Sequence, residues 1–203
     1  GATYRWFKER FCQDLNGDDV YDRLNDESAS SDVGANGVIM IPHFEGSAAP
    51  YWNPFAKGLF FNLSLKTTRG DMIRALMEGI AVEINDNISL MEELTGKIDR
   101  VSVAGGMVRS DLFCEIQSYI FDKEVARYKN SEASSLAAAM IAYVTLGYYR
   151  DIEEAYEMML GNNSPKVFNP DTEAVAKSRK IIERKHKLYD GLKASGVYEA
   201  FSK

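Results

Sequence analysis

The sequence predicts an α/β fold in which helices flank a central mixed β-sheet. Two short apolar stretches, residues 38–41 and 59–65, are typical of buried strands. A long amphipathic helical pattern follows them, and the rest of the chain alternates predicted strands with predicted helices. The length of 203 residues and the hydrophobic content of 45% suit one domain, so we expect residues 1–203 to form a single unit.

Composition excludes several classes of protein. The net charge of −6 argues against nucleic acid as a partner. No apolar run is long enough to span a bilayer, so no membrane partner is expected. Cys12 and Cys114 stand among apolar neighbours, which predicts buried free thiols in a reducing cytoplasm. A zinc site is excluded. The basic stretch 177–187 is interpreted as the solvated face of a helix.

The predicted elements follow the chain in order. Helical patterns over residues 1–15 and 19–26 precede a polar loop over 27–37. Thr68 and Asp71 form a capping-box signal at the start of the long helix, and Gly96 is its expected end. A strand over 98–104, a helix from Ser110 and a strand over 124–128 come next. Three further helices are predicted over 134–147, 152–160 and 172–188.

Two features of the first half indicate close packing. Arg74 and Glu78 are four residues apart on the long helix and are expected to pair. Gly79 in a helix interior costs about 1 kcal/mol against alanine, which indicates a close backbone contact.

The loop over 42–58 is rich in proline, glycine and aromatic residues. It either covers the core or turns Tyr51 and Trp52 towards a partner, so a homodimer is possible.

The candidate site is the turn after the strand over 98–104. Gly105 and Gly106 would let the backbone approach a ligand, and the helix that Ser110 opens would supply free N–H groups. No Gly-Lys-Ser/Thr follows, so the turn is not a P-loop. A plain strand-to-helix turn remains the alternative. The nearby acidic residues are interpreted as surface or helix-terminal positions: Asp99, Asp111, Glu115 and Glu132. His43 is interpreted as structural, with a place on the substrate side of a cleft as the alternative.

Five motifs in a fixed order carry a resemblance to a known family. They are Pro-x-Phe-x-Gly, Ala-Pro-Tyr-Trp-Asn-Pro-x-Ala-x-Gly, Ile-Arg-Ala-x-x-Glu-Gly-Ile-Ala, Gly-Gly-x-x-Arg-Ser and Leu-Ala-Ala-Ala. Together they resemble the second domain of the FGGY carbohydrate kinases over about residues 1–150. Asn62 and Ala137 stand where that family usually has glycine, which indicates a divergent member.

The resemblance implies an RNase H-like, actin-like ATPase fold that holds ATP and Mg²⁺ in a cleft between two domains. It implies six nucleotide-binding residues: Gly1, Arg5, Gly105, Gly106, Met107 and Ser110. The turn at 105–107 would lie along the adenosine, and Ser110 would lie near the adenine edge. Gly1 would lie close to the phosphates and Arg5 near the nucleotide. Residues 136–139 would support the wall of the pocket.

The resemblance also implies what this chain does not contain. The family's general base and its Asp-x-Gly-Thr phosphate motif are not found in the sequence, so we expect both in a sugar-binding domain that precedes Gly1. The predicted function is the nucleotide side of an ATP-dependent kinase for a sugar or polyol, inactive when isolated. A non-catalytic nucleotide-binding or regulatory module is one alternative, and a structural interaction domain is another.

Overall fold

The computed structural model describes residues 1–128, 133–160 and 164–201. Within these ranges the chain is a mixed α/β structure. The helices are α1 (Ala2–Phe11), α2 (Val20–Ala29), α3 (Arg69–Thr95), α4 (Asp111–Phe121), α5 (Ala133–Thr145), α6 (Ile152–Leu160), α7 (Thr172–Ala194) and α8 (Val197–Ala200). The strands are β1 (Ile39–Ile41), β2 (Leu59–Phe61), β3 (Arg100–Val103), β4 (Glu124–Arg127) and β5 (Lys166–Phe168).

The strands of the described ranges form two small sheets. β1 and β2 pair antiparallel, with Ile39 opposite Phe61. The other sheet has the order β3-β4-β5, and it is mixed as predicted, because β3 and β4 run parallel while β4 and β5 run antiparallel. The α/β class and the mixed sheet are therefore confirmed, while β5 was not predicted from the sequence.

Helix α3 is the centre of the fold. The side chain of Thr68 accepts a hydrogen bond from the Asp71 amide at 3.1 Å, and the Asp71 carboxylate accepts one from the Thr68 amide at 2.8 Å. This confirms the predicted capping box, and Gly96 ends the helix with φ of 86°. The helix packs against α2, α4 and β1, so the elements on either side of the candidate site share one core.

Several predicted boundaries were wrong for identifiable reasons. β2 ends at Phe61 rather than at residue 65, because Asn62 has φ of 66° and its side-chain amide donates to the Gly37 carbonyl at 3.0 Å. Helix α2 extends to Ala29, into the predicted loop, because Ser28 is fully buried against Met77 of α3. Tertiary contacts override the local polar composition here.

The ends of the chain also depart from the prediction. Helix α1 ends at Phe11 rather than at residue 15, although Leu15 is still buried. Helix α7 continues to Ala194, beyond the predicted end at 188, and it carries Tyr189 into the interior. Helix α8 was not predicted.

The cysteine prediction is confirmed, because both Cys12 and Cys114 are buried and free. Burial raises the pKa of the Cys114 thiol to about 11, so this side chain stays protonated at neutral pH. In the part of the chain that is described, no helix combines the length and apolar character that crossing a bilayer requires.

Candidate functional site

The turn between β3 and α4 has two glycines in different conformations. Gly105 has φ of 108°, a left-handed conformation that side chains other than glycine rarely adopt. Gly106 has φ of −65° and ψ of −41°, an ordinary helical conformation open to any residue. A short 3₁₀ turn, Met107–Arg109, then leads to Ser110 and the start of α4.

The space above this turn is open. Among the described residues, a Cβ atom built on Gly105 or on Gly106 would meet no heavy atom within 4 Å other than those of its neighbours in the chain. Gly105 is explained by its left-handed backbone, but Gly106 is not explained by either conformation or packing. Its missing side chain leaves a bare stretch of backbone on the surface, which a flat ligand can approach.

The underside of the turn is anchored in the core. Val108 is buried, and its carbonyl accepts a hydrogen bond from the Cys114 thiol at 3.3 Å. Met107 is half-buried, and its side chain packs against the main hydrophobic cluster. Of the predicted contact residues, Met107 therefore presents chiefly its backbone to the open side.

Arg127 holds the turn from the neighbouring strand. Its guanidinium donates to the Val108 carbonyl at 2.7 Å and to the Arg109 carbonyl at 3.1 Å. Arg127 was not predicted from the sequence. The local sequence carried no signal for it, because Arg127 reaches the turn only through the parallel pairing of β3 and β4, which brings the carboxyl ends of both strands to one edge of the sheet.

Asp111 completes a small ionic cluster beside the turn. Its carboxylate accepts from Lys166 at 2.6 Å and from Arg127 at 2.7 Å. The hydrogen bond from Lys166, followed by that from Arg127, holds the pKa of Asp111 below its usual range. Asp111 is exposed in the first turn of α4, and Asp99 is exposed beside Lys97. Both therefore lie at surface or helix-terminal positions, as predicted. Glu132 falls outside the described residues.

Ser110 is the N-cap of α4. Its side-chain oxygen accepts a hydrogen bond from the Phe113 amide at 3.3 Å, which satisfies one of the free donors at the helix start. The hydroxyl hydrogen is still available to a ligand, because the cap uses only the oxygen as an acceptor. Gly105, Gly106, Met107 and Ser110 are thus brought together by one short turn.

Gly1 and Arg5 lie on a different element. Gly1 precedes α1, and its carbonyl accepts a hydrogen bond from the Arg5 amide at 3.1 Å. Both residues are exposed. Among the described residues, no hydrogen bond or ion pair connects either of them to the turn at 105–110, so their place near the phosphates stays a prediction.

A buried polar cluster lies in the core beneath α3 and α4. Three donors converge on Glu78 Oε1: the Gly34 amide at 2.9 Å, Tyr119 OH at 2.8 Å and Arg74 Nε at 3.2 Å. The predicted pair of Arg74 and Glu78 is confirmed. Burial raises the pKa of Glu78 against the effect of these donors. The cluster fixes α3 to α4 and to the 3₁₀ turn before β1.

The aromatic loop over 42–58 is held by a second polar cluster. His43 is buried, and its Nε2 lies 2.9 Å from Glu83 Oε1 on α3. Lys185 of α7 bonds the same carboxylate, and Tyr51 donates to Asp86 at 2.7 Å. His43 is therefore structural, as interpreted. Trp52 is 74% exposed at the tip of this loop.

A separate cavity of about 410 Å³ opens beside α4. It contains no residue of the turn at 105–110 and is lined by Val33, Arg74, Leu112, Glu115, Ser118, Tyr119, Phe168, Asn169, Asp171 and Ala174. This cavity is therefore separate from the glycine turn.

The chain matches a known protein family. Residues 1–146 match the family described as "FGGY family of carbohydrate kinases, C-terminal domain". The match covers the turn, the aromatic loop and α3, so it includes every motif on which the resemblance rested. The fold and the motifs together define a carbohydrate kinase domain. The chain belongs to the FGGY family.

Similar proteins are found at the levels of sequence and structure. Glycerol kinase 2 of Sulfolobus acidocaldarius is 32% identical over 95% of this chain and 36% of its own length. A xylulose kinase of Staphylococcus epidermidis is 28% identical over 95% of this chain and 37% of its own length. The crystal structure of a ligand-bound xylulose kinase from Lactobacillus acidophilus matches all of this chain and 39% of that one, with a TM-score of 0.84 and 26% identity.

The shared fold is therefore that of FGGY kinases, in the actin-like ATPase class. The chain spans less than two fifths of the length of these relatives.

Proposed function

We propose that this chain is the nucleotide-binding part of an ATP-dependent kinase that phosphorylates a sugar or polyol hydroxyl. The observation that carries the proposal is Gly106, which has an unstrained backbone and open space around it. No contact of the described residues requires glycine there, whereas a purine ring lying on the backbone would. Family membership supplies the reaction class, because the family consists of carbohydrate kinases.

In this proposal the turn acts as a platform for adenosine. Gly105, Gly106 and the backbone of Met107 form the flat surface, and Ser110 offers its hydroxyl hydrogen to the adenine edge. Arg127 keeps the platform rigid from below, so that it does not need to reorganise when the nucleotide binds. Gly1 and Arg5 would approach the phosphates from α1.

The general base is assigned to a group outside this chain, because the motif that carries it is not found in the sequence. In the described ranges, no three His, Cys, Asp or Glu side chains are placed to hold a metal ion together. Phosphoryl transfer needs the nucleotide, a cation and a base held in one geometry. The chain supplies only part of that arrangement, so we propose that a sugar-binding domain outside residues 1–203 supplies the remainder.

The isolated chain should then show no sustained kinase turnover. A coupled ADP-release assay with a panel that includes glycerol, xylulose and gluconate measures this. Sustained turnover by the 203-residue chain would contradict the division of the site between two parts. The same panel applied to the full-length polypeptide containing this sequence would identify the substrate.

Nucleotide binding at the turn has a direct test. Titration of the ¹⁵N-labelled chain with ADP should shift amide resonances of residues 105–110 more than those elsewhere. Weak affinity is expected, because the groups that clamp the phosphates are assigned to the missing domain. Shifts centred on the cavity beside α4, with none at 105–110, would refute the proposed site.

The proposal also covers the cellular compartment of the protein and its association with other domains or chains. The cytoplasm is proposed because two buried free thiols suit a reducing compartment. Trp52 and Phe55 are exposed on the aromatic loop, which favours contact with the sugar-binding domain or with a second copy of the chain. Gel filtration over a range of concentrations checks for a homodimer.

A further inference from the structure

The cavity beside α4 has the size of a small-molecule site. Its volume is about 410 Å³, and sites for small ligands span about 300–1,000 Å³. The nucleotide proposed for the glycine turn does not occupy this space, because none of residues 105–110 lines it. The side chains of the cavity wall therefore decide which other ligand it fits.

Arg74 is a buried cation in the wall of the cavity, with 6% of its surface exposed. Its guanidinium donates to Glu78 at 3.2 Å, to the Ser31 carbonyl at 3.1 Å and to Tyr119 OH at 3.1 Å. A guanidinium has five N–H groups, so two of them have no acceptor among the described residues. Buried donors are normally paired, and the cavity is where an acceptor for these two groups can lie.

The exposed part of the cavity wall carries carboxylates. Glu115 of α4 and Asp171, the N-cap of α7, both line the cavity and are exposed. Asp171 Oδ1 accepts from the Ala174 amide at 2.8 Å, which leaves its other oxygen open. The carboxylate of Glu115 has no hydrogen bond or ion pair with the described residues. These oxygens can accept hydrogen bonds from a ligand.

Apolar side chains form the rest of the wall. Phe168 and Ala174 are buried, and Leu112 and Val33 are partly buried. A mainly apolar wall with a few polar groups is the usual lining of a small-molecule site, in which the polar groups fix the orientation of the ligand. The ligand should consequently combine C–H surface with several hydrogen-bonding groups.

The charges of the wall favour a neutral ligand. An anion bound to Arg74 would lie near Glu78, to which Arg74 already donates, and would face Glu115 and Asp171. A cation drawn in by these two carboxylates would meet Arg74. Like charges repel strongly where water is partly excluded. A hydroxyl group avoids both penalties, because its oxygen accepts from a guanidinium and its hydrogen donates to a carboxylate.

We propose that this cavity binds a small neutral polyhydroxy compound, a sugar or a polyol, at a site separate from the glycine turn. Hydroxyl oxygens accept from the two open N–H groups of Arg74. Other hydroxyls donate to Glu115 and Asp171, and the C–H groups of the ligand pack against Phe168. The inference does not depend on nucleotide binding, because the cavity is formed without residues 105–110.

Titration of the ¹⁵N-labelled 203-residue chain in the absence of nucleotide tests the proposal. The neutral probes are xylitol, ribose and glucose, and the charged counterparts of glucose are gluconate and glucosamine. Saturable amide shifts should appear at residues 112–119 and 168–174 with at least one neutral probe, with a Kd of about 1 mM or tighter. Both charged probes should bind at least about tenfold more weakly than the best neutral probe, because each meets a like charge in the site.

Two substitutions in the wall sharpen the test. Glu115→Ala should weaken binding of the best neutral probe about tenfold, because a hydroxyl loses a charged acceptor. Leu112→Trp should abolish binding by filling part of the cavity, without removing a partner of Arg74. Glu93→Ala is the control, because Glu93 is an exposed carboxylate on α3 outside the cavity, and it should leave the affinity unchanged. Thermal unfolding of each variant checks that the chain is folded.

Three results would overturn the proposal. If no neutral probe gives saturable shifts at these residues, the cavity holds only water. Tighter binding of gluconate or glucosamine would contradict the selection by charge. Equal losses of affinity from Glu115→Ala and Glu93→Ala would place the ligand elsewhere. Because ADP is absent from this titration, its failure would leave the nucleotide site at the glycine turn to its own test.

Discussion

The contact between α3 and β1 and the turn after β3 both contain a glycine in an ordinary conformation, but the two glycines stand in opposite surroundings. A Cβ atom on Gly79 of α3 would lie 2.4 Å from the Met40 carbonyl oxygen of β1. A Cβ atom on Gly106 would meet no heavy atom of the described residues within 4 Å, apart from its neighbours in the chain. The fold itself requires the first glycine. No contact of the described residues requires the second, and we attribute it to the nucleotide proposed to lie on the turn.

Substitution of Gly79 should have the largest effect on stability. Gly79→Ala should lower the free energy of unfolding by about 3 kcal/mol, because the clash with β1 outweighs the gain in helix propensity. Urea denaturation of the 203-residue chain measures the change. Gly191→Ala is the control, because Gly191 lies in α7 with no atom near its missing side chain, and this variant should be neutral or slightly stabilising. Equal effects would mean that α3 and β1 are not in close contact.

Gly105→Ala should have the next largest effect. A side chain at φ of 108° is strained whatever the space around it, and the expected loss is about 1–2 kcal/mol. The neighbouring Gly106→Ala carries no such strain and serves as the control. The same denaturation experiment would contradict this conformation of the turn if the two variants lost equal stability.

Removal of the anchor beneath the turn tests its rigidity. Arg127→Met removes the two hydrogen bonds to the Val108 and Arg109 carbonyls and should cost about 1 kcal/mol. Amides of residues 105–110 should exchange faster by hydrogen-exchange mass spectrometry. Arg100→Met, which breaks a surface pair with Glu124 at the other end of the sheet, should leave their exchange unchanged.

The cap of α4 gives a smaller effect. Ser110→Ala should cost about 0.5–1 kcal/mol, because the Phe113 amide loses its acceptor. Ser110→Asn keeps an acceptor at the N-cap and should restore most of the stability in the same denaturation assay. If Asn fails to restore it, Ser110 contributes by something other than capping.

The sequence was sufficient to predict features that depend on local signals. The capping box at Thr68, the helix end at Gly96 and the cap at Ser110 follow from residue types at fixed spacings, and each is present. The close contact at Gly79 followed from the cost of glycine inside a helix. The glycine turn was located by the same reasoning, since Gly105 and Gly106 end a predicted strand.

Features that depend on distant contacts were not predicted. Arg127 anchors the turn only because β4 lies parallel to β3, which spacing along the chain does not show. Strand β5 has three residues and pairs antiparallel with β4, so it carries little local pattern. Helix α2 extends through a polar segment because Ser28 is buried against α3. The predicted place of Gly1 and Arg5 near the phosphates depends on the family resemblance alone.

The effect of Gly106→Ala on nucleotide binding tests the central claim most directly. The substitution should change the free energy of unfolding by no more than about 0.5 kcal/mol, because the added methyl group clashes with none of the described residues. In the full-length polypeptide it should weaken ADP binding by at least about tenfold in isothermal titration calorimetry, a loss of about 1.4 kcal/mol. Unchanged affinity together with unchanged stability would contradict the assignment of this bare turn as the nucleotide platform.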